Sequence, residues 1–328
     1  MRTIVYRRYG PPEVLHFKEV ETPTPAENEV LIQIQAVAVT ATDVAFRSGK
    51  PFVARLFAGP RKPRLQTLGG SLAGEVVAIG ADVTRFKIGE RVFGVSGPSL
   101  GGYAEFISLA EDGALAKMPD GMTYVEAAGI ADGGPTALPF VRDKGKVEQG
   151  QKVLINGAAG AIGTMAVQLA KHYGAHVTGV CSGPNADLVK SLGADEVIDY
   201  SSEDFTLRRG TYDIIFDTIG KSSFSKAKGA LTRRGKYLTT VPTLGGMLTM
   251  MLAPIFSGKR GIFAATGLRK PADKARDLAF MGDLFAAGTL HVVVDRSYPF
   301  DQFADAHKHV DTGHKKGVVV LTIQANPA

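Results

Sequence analysis

The first third of the chain places apolar residues at every second position in short runs. "EVLIQIQAVAV" (29–39) and "GEVVAIG" (74–80) alternate, and "RFKIGERVFGV" (85–95) and "YAEFISL" (103–109) follow the same style. Val, Ile and Phe at period two between Gly/Pro turns predict half-buried antiparallel strands. This part is therefore read as all-β and barrel-like. The opening "MRTIVYRRYG" also alternates and lacks the apolar segment of a signal peptide.

The period changes near residue 122. "TYVEAAGIADGGPTALPFVRD" is helical in composition, and a regular series of apolar strands and amphipathic helices follows. The predicted strands are "KVLIN" (152–156), "HVTGVC" (176–181), "EVIDY" (196–200), "YDIIFDT" (212–218), "KYLTT" (236–240) and "GIFAAT" (261–266). Predicted helices lie between them in "GAIGTMAVQLAKHY", "NADLVKSLG" and "KSSFSKAKGALTRRG". Continuous apolar strands alternating with helices imply a parallel sheet covered on both faces, a doubly wound α/β fold. After residue 270 come a helix (272–288), "HVVVDRSYPF", a helix "DQFADAHKHVDTG" and a strand "GVVVLTI", read as a return to the first domain. The expected domains are 1–122 with 269–328, and 123–268.

"NGAAGAIG" (156–163) joins the first of these strands to its helix. It is one glycine short of G-x-G-x-x-G, with Ala158 at the missing position. A helix N-terminus offers free N–H groups and a positive dipole end to a phosphate. Gly160 removes the Cβ that would block a pyrophosphate, and Gly163 lets the helix approach the strand. Ala159, Gly160, Ala161, Ile162 and Gly163 are thus the expected cofactor contacts. An NAD enzyme places an acid about 20 residues beyond this turn, on the ribose 2′-hydroxyl. Here the stretch is "VCSG", with Cys181, Ser182 and Gly183. Ser182 and free backbone N–H groups suit a 2′-phosphate, so NADP(H) is the expected cofactor, with Tyr200 as an extra donor.

Composition narrows the class. Of 328 residues, 45% are hydrophobic and 21% charged, the balance of a globular protein. One cysteine, Cys181, excludes a disulfide framework and a Cys-rich zinc site. No run of about 18 apolar residues is present, so integral membrane association is not expected and a cytoplasmic place is. The formal charge is +6, part of it in "ARLFAGPRKPR" (54–64), with Arg55, Arg61, Lys62 and Arg64. This is read as a solvated loop or as an electropositive rim for a phosphorylated cofactor. No aromatic stacking motif accompanies it, so nucleic acid is not an expected partner.

"INGAAGAIGTMAVQLAKHYGAHVTGVCS…LVKSLGADEVIDY", "AGEVVAIGADVTRFKIGERVFG" and "GGYAEF" resemble the quinone oxidoreductase branch of the medium-chain dehydrogenase/reductase superfamily. The resemblance runs along nearly the whole chain in order. It implies a GroES-like β-rich catalytic domain split around a Rossmann domain, an active site in the cleft between them, and a homodimer or tetramer. Zinc members of the superfamily carry a Cys where this chain has Ala41, a His-Glu pair where it has Gly70 and Ser71, and a third ligand near Asp132. A catalytic zinc needs three N, S or O ligands. Without that Lewis acid, alcohol oxidation is hard, while hydride transfer from NADPH to an electrophilic acceptor stays feasible. A zinc-independent reductase of quinones or α,β-unsaturated carbonyls is the leading expectation. An enoyl-thioester reductase and a cofactor-binding interaction protein with little turnover are the alternatives.

The resemblance places Thr40, Thr42 and Asp43 ("VTATD") by substrate and nicotinamide, although Asp43 fits a cap of the next short helix as well. Thr136 is placed beside the nicotinamide. Val241 and Thr266 end strands where ligand-binding loops belong. Tyr103 suits either a cleft wall or the core. "GPSLG" (97–101) precedes a strand rather than a helix, so it is no nucleophile elbow. "GKS" (220–222) lacks a P-loop's leading glycine. His307, His309 and His314 are read as solvated. The apolar stretch 243–260, with Met247, Met250 and Met251, suits the wall of a lipophilic substrate site, a subunit interface or contact with a membrane surface.

Overall fold

The alternating strands of the first third and the β/α series that follows fall in different units. The computed structural model describes residues 1–241, 250 and 258–323. One unit holds Met1–Asp132, Arg269–Ala287 and the chain from Val292 on; the other holds Gly133–Leu268 and Gly288–His291. Most of the 243–260 stretch lies outside the described residues.

The chain opens with β1 (Arg2–Val5), β2 (His16–Glu19) and β3 (Glu29–Val39), followed by helices α1 (Ala41–Ser48) and α2 (Ala54–Ala58). Strands β4 (Ser71–Ile79), β5 (Arg91–Val95), β6 (Phe106–Ala110) and β7 (Ala114–Lys117) lead into helix α3 (Tyr124–Leu138). The second unit runs β8 (Lys152–Asn156), α4 (Ala161–His172), β9 (His176–Cys181), α5 (Ala186–Ser191), β10 (Glu196–Asp199), β11 (Tyr212–Asp217), α6 (Phe224–Ala227), β12 (Leu231–Thr239) and β13 (Arg260–Phe263). The return adds α7 (Pro271–Ala286), β14 (Val294–Pro299), α8 (Phe303–Asp311) and β15 (Val318–Thr322).

The first unit is built on β3. Along one edge it pairs antiparallel with β4; its other pairings go to β6 at residues 29–33 and to β15 at residues 36–39. The sheet order is β14-β15-β3-β4-β5-β7, with β6 on β3. Helices α1 and α2 interrupt what the alternation predicted as all-β. "RFKIGERVFGV" is a strand only over Arg91–Val95, because Glu90 N–H bonds Lys87 C=O and closes a turn before it. Residues 123–132, predicted to open the second domain, belong to the first unit. Ser71 Oγ donates to Ala131 C=O (3.1 Å), Lys315 pairs with Asp132 (3.7 Å), and Gly129 lies against Val292 and Val318. Residues 288–291 go the other way, held by two bonds between the Gln168 amide and the His291 backbone.

The second unit is a parallel six-stranded sheet of order β10-β9-β8-β11-β12-β13. This is the 3-2-1-4-5-6 order of a doubly wound fold, with its switch point between β8 and β11. The predicted strands are all present. The helix predicted over 221–235 is not: α6 is a single turn capped by Ser223 Oγ, and Leu231 already pairs with Tyr212 of β11. Tertiary pairing outweighs the local propensity here.

Helix α8 buries Phe303, Ala306, His307 and Val310, an i, i+3, i+4, i+7 face. His307 is therefore not solvated, contrary to expectation: it is fully buried edge-on to Tyr103 (5.7 Å between rings). Neither of its ring nitrogens has a hydrogen-bond partner among the described residues. Burial, and then the Arg47 cation, push its pKa down to about 3. Arg47 is itself buried; its Nη2 grips both oxygens of Asp311 (2.8 and 2.9 Å). The unfolded chain protonates His307 near 6.5, while the folded chain holds it neutral down to about 3, so acidification favours unfolding. In urea titrations, the stability difference between the native chain and His307→Phe should shift against the native chain by about 1.4 kcal/mol per pH unit below about pH 6. A constant difference across pH would contradict a buried neutral imidazole.

Candidate functional site

The turn between β8 and α4 is anchored before it reaches the helix. The N–H groups of Gly157 and Ala158 both bond Val180 C=O of β9 (3.1 and 3.0 Å). Gly157 has φ +85°, and a Cβ there would press on Thr218 Oγ1 (2.7 Å) and Ile219. Ala158, the motif's departure, packs its methyl toward Gly179 of β9, where an added Cβ would lie 3.1 Å away. Gly163 has no room for a side chain: a Cβ would overlap Gly157 C=O and lie 2.8 Å from Ala158 Cα.

Gly160 differs from these. It is the N-cap of α4, with extended backbone and no side-chain cap. The nearest atom to a Cβ there is Gly157 O at 3.5 Å, so no protein packing demands a glycine. The N–H groups of Ala161, Ile162 and Gly163 find no acceptor among the described residues. Open space, unclaimed donors and a helix dipole fit the diphosphate of a dinucleotide.

A buried carboxylate that sequence reasoning missed holds this end of the sheet. Asp217, at the end of β11, is fully buried. Its Oδ1 accepts from Asn156 Nδ2 (3.0 Å), Ile219 N–H (3.3 Å) and Gly220 N–H (3.0 Å). Its Oδ2 accepts from Ser222 N–H (3.0 Å) and Tyr237 O–H (2.8 Å). Burial, with the facing Asp217, raises the Tyr237 pKa, so that hydroxyl remains a donor. Next in sequence, Thr218 Oγ1 donates to Asn156 C=O (2.8 Å). The only sequence signal was a polar residue ending each of two adjacent apolar strands.

Ser182 follows β9, and its Oγ accepts from Asn185 Nδ2 (3.1 Å). Its own O–H stays available to donate. Tyr200 lies beside it through Tyr200 N–H to Cys181 C=O (3.1 Å) and is exposed. The backbone N–H groups here are not all free, as had been expected. Asn185 N–H bonds Ser182 C=O (2.9 Å), and Asp199 accepts from Ser201 N–H (2.9 Å), which lowers its pKa. Thr136 and Thr266 meet through their hydroxyls (3.2 Å). Val241 is exposed against Gly220.

Thr40, Thr42 and Asp43 lie in the first unit. Thr40 is the N-cap of α1 and Asp43 its third residue, in a reciprocal capping box. Asp43 Oδ2 takes Thr40 N–H (2.9 Å) and Oγ1–H (2.7 Å), and Oδ1 takes Gly69 N–H (2.9 Å). Burial raises its pKa against these bonds. Asp43 is thus a structural clasp between α1 and Gly69, while Thr42 is exposed. Ala41 and Gly70 carry no ligand atom on their side chains. Ser71 is bonded to Ala131, and Asp132 is paired with Lys315. These residues do not fit the zinc site of the superfamily's metal members.

Two family descriptions match the chain: "Alcohol dehydrogenase GroES-like domain" over residues 26–120 and "Zinc-binding dehydrogenase" over residues 192–321. A quinone oxidoreductase of Pseudomonas aeruginosa is 31% identical, covering 98% of this chain and 99% of its own. Among solved structures, the quinone oxidoreductase of Coxiella burnetii is 28% identical with a TM-score of 0.88, covering 99% of both chains. The Escherichia coli quinone oxidoreductase complexed with NADPH is 25% identical with a TM-score of 0.84, covering 98% of this chain and 100% of its own.

The two helix glycines make opposite predictions. Gly163→Ala should lower stability by about 1–3 kcal/mol through overpacking. Gly160→Ala should change stability by no more than about 1 kcal/mol yet weaken dinucleotide binding by at least about tenfold. Denaturant titration and calorimetric titration with the cofactor separate the two effects.

Proposed function

Because the chain belongs to the quinone oxidoreductase branch of the medium-chain dehydrogenase/reductase superfamily, we propose that this oxidoreductase reduces quinones or α,β-unsaturated carbonyl compounds with NADPH and without zinc. The observation that carries the reading is the open N-terminus of α4 at the sheet's switch point, with three unclaimed N–H groups and no side chain on Gly160. A bound nicotinamide cofactor would supply the hydride, and a solvent proton completes the two-electron reduction.

The chain's own residues divide the remaining work. The α4 N-terminus and Gly160 hold the diphosphate. Ser182, whose oxygen already accepts from Asn185, is free to donate to a 2′-phosphate, with Tyr200 beside it. Thr136 and Thr266 are the candidate contacts of the nicotinamide end, and Val241 lies in the loop after β12. The absence of ligating side chains at 41 and 70 supports hydride transfer to an acceptor that is electrophilic without a metal. The resemblance extends the proposal to a homodimer.

Mixing the purified chain with NADPH and panels of quinones, enones and alkenals, while following cofactor absorbance, tests the reading. Turnover with at least one panel, retained in the presence of a chelator, is expected. No oxidation with any acceptor refutes it, and zinc-restorable loss in chelator refutes the metal-free part. Ser182→Asp sets a carboxylate where the 2′-phosphate is expected and should lower kcat/KM for NADPH by at least about tenfold relative to NADH. An unchanged ratio would remove Ser182 from the cofactor site.

A further inference from the structure

Around α2 the usual sorting of side chains is inverted. Ala54 and Ala58 point inward and are buried, while Phe52, Val53, Leu56 and Phe57 stand out at 68, 54, 67 and 67% exposure. The hydrophobic effect favours the reverse, large apolar groups inside and methyl groups out. Four such residues within six positions form a contiguous apolar surface rather than scattered singles.

The surface is braced. Arg55 turns inward, with its Nε on Gly49 C=O (3.1 Å) and its guanidinium over the Tyr9 ring (4.8 Å). The Tyr9 hydroxyl in turn donates to Gly59 C=O. Arg55 thus holds the segment to the fold while its apolar neighbours face solvent.

Its surroundings are cationic. Lys50, Arg61, Lys62 and Arg64 are exposed, and none has an ion-pair partner among the described residues. Between Asp43 and Glu75 the chain carries no Asp or Glu. Protruding aromatic and aliphatic side chains flanked along the segment by exposed cations match a bilayer with negative headgroups. Apolar groups enter the headgroup–acyl boundary while the cations meet the phosphates and carboxylates. We propose that residues 50–64 are a docking surface for anionic lipid membranes. This goes beyond the reductase reading and does not depend on which acceptor is reduced.

The test is sedimentation of the full-length protein with vesicles of phosphatidylcholine alone or with about 30% phosphatidylserine. The native chain should pellet with the anionic vesicles only, and less at high salt. Arg61→Gln with Lys62→Gln should lower the partition coefficient about fivefold per cation. Phe52→Ser with Phe57→Ser should lower it at least about tenfold. Both pairs are exposed, so thermal melting should confirm that each variant is folded. No pelleting with anionic vesicles, or equal pelleting with both kinds, overturns the proposal. So does a native chain that ignores vesicles but changes its oligomeric mass on Phe52→Ser with Phe57→Ser, which would assign the surface to a contact between copies.

Discussion

The second unit depends on satisfying one buried carboxylate. Asp217 sits where β8 and β11 end beside each other, at the point where the chain switches direction across the sheet. Five donors converge on its two oxygens, from β8, from the loop after β11 and from β12. Hydrogen bonds to charged groups contribute about 1.5–3 kcal/mol each, but dehydrating the carboxylate offsets much of the sum. Its consequence is therefore positional. The loop after β11 is fixed on Asn156, Thr218 then closes on the carbonyl before Gly157, and the N-terminus of α4 is aimed by that closure. A phosphate cradle made only of backbone needs such a support, because its own donors stay unpaired until a ligand arrives.

The first unit solves the same problem less completely. Asp43 has three donors and binds α1 to Gly69, but Arg47 turns one nitrogen to Asp311, and neither nitrogen of His307 has a partner among the described residues. Two consequences follow. Asp43, with both oxygens accepting hydrogen bonds inside the fold, serves to hold α1 against Gly69. The neutral His307 beside a cation makes the packing of α8 on α1 sensitive to acid, whereas the glycine turn has no titrating group of its own.

The sequence reveals most of what is periodic or local. The β/α series, the turn at 156–163 and the return to the first unit are legible because strand and helix periods differ. The Thr40–Asp43 box was half legible: a cap was recognised, but the acid is the third helical residue and Thr40 the cap. What escaped is what depends on pairing across distance. The helix predicted over 221–235 yields to β12 because Leu231 has a partner in β11. His307 reads as polar in sequence, and only its place on the Phe303–Val310 face shows it buried. Asp217 and Asn156 are 61 residues apart, and no spacing rule joins them.

Ala158 shows how such a distance can be crossed. The fingerprint asks for glycine at that position to make the tight turn, and here Gly157, with φ +85°, takes the left-handed conformation one residue earlier. In this chain the methyl group is present, and the space for it comes from Gly179 on the neighbouring strand, whose missing side chain would otherwise meet both Ala158 and Val189. At this crossing the glycine on β9 leaves room for the methyl group of Ala158. Gly160 is different, since its opening faces no neighbouring residue that could yield space to a ligand on its behalf. A departure from the motif at 158 is therefore a change of packing partner, while a departure at 160 would be a change of ligand surface.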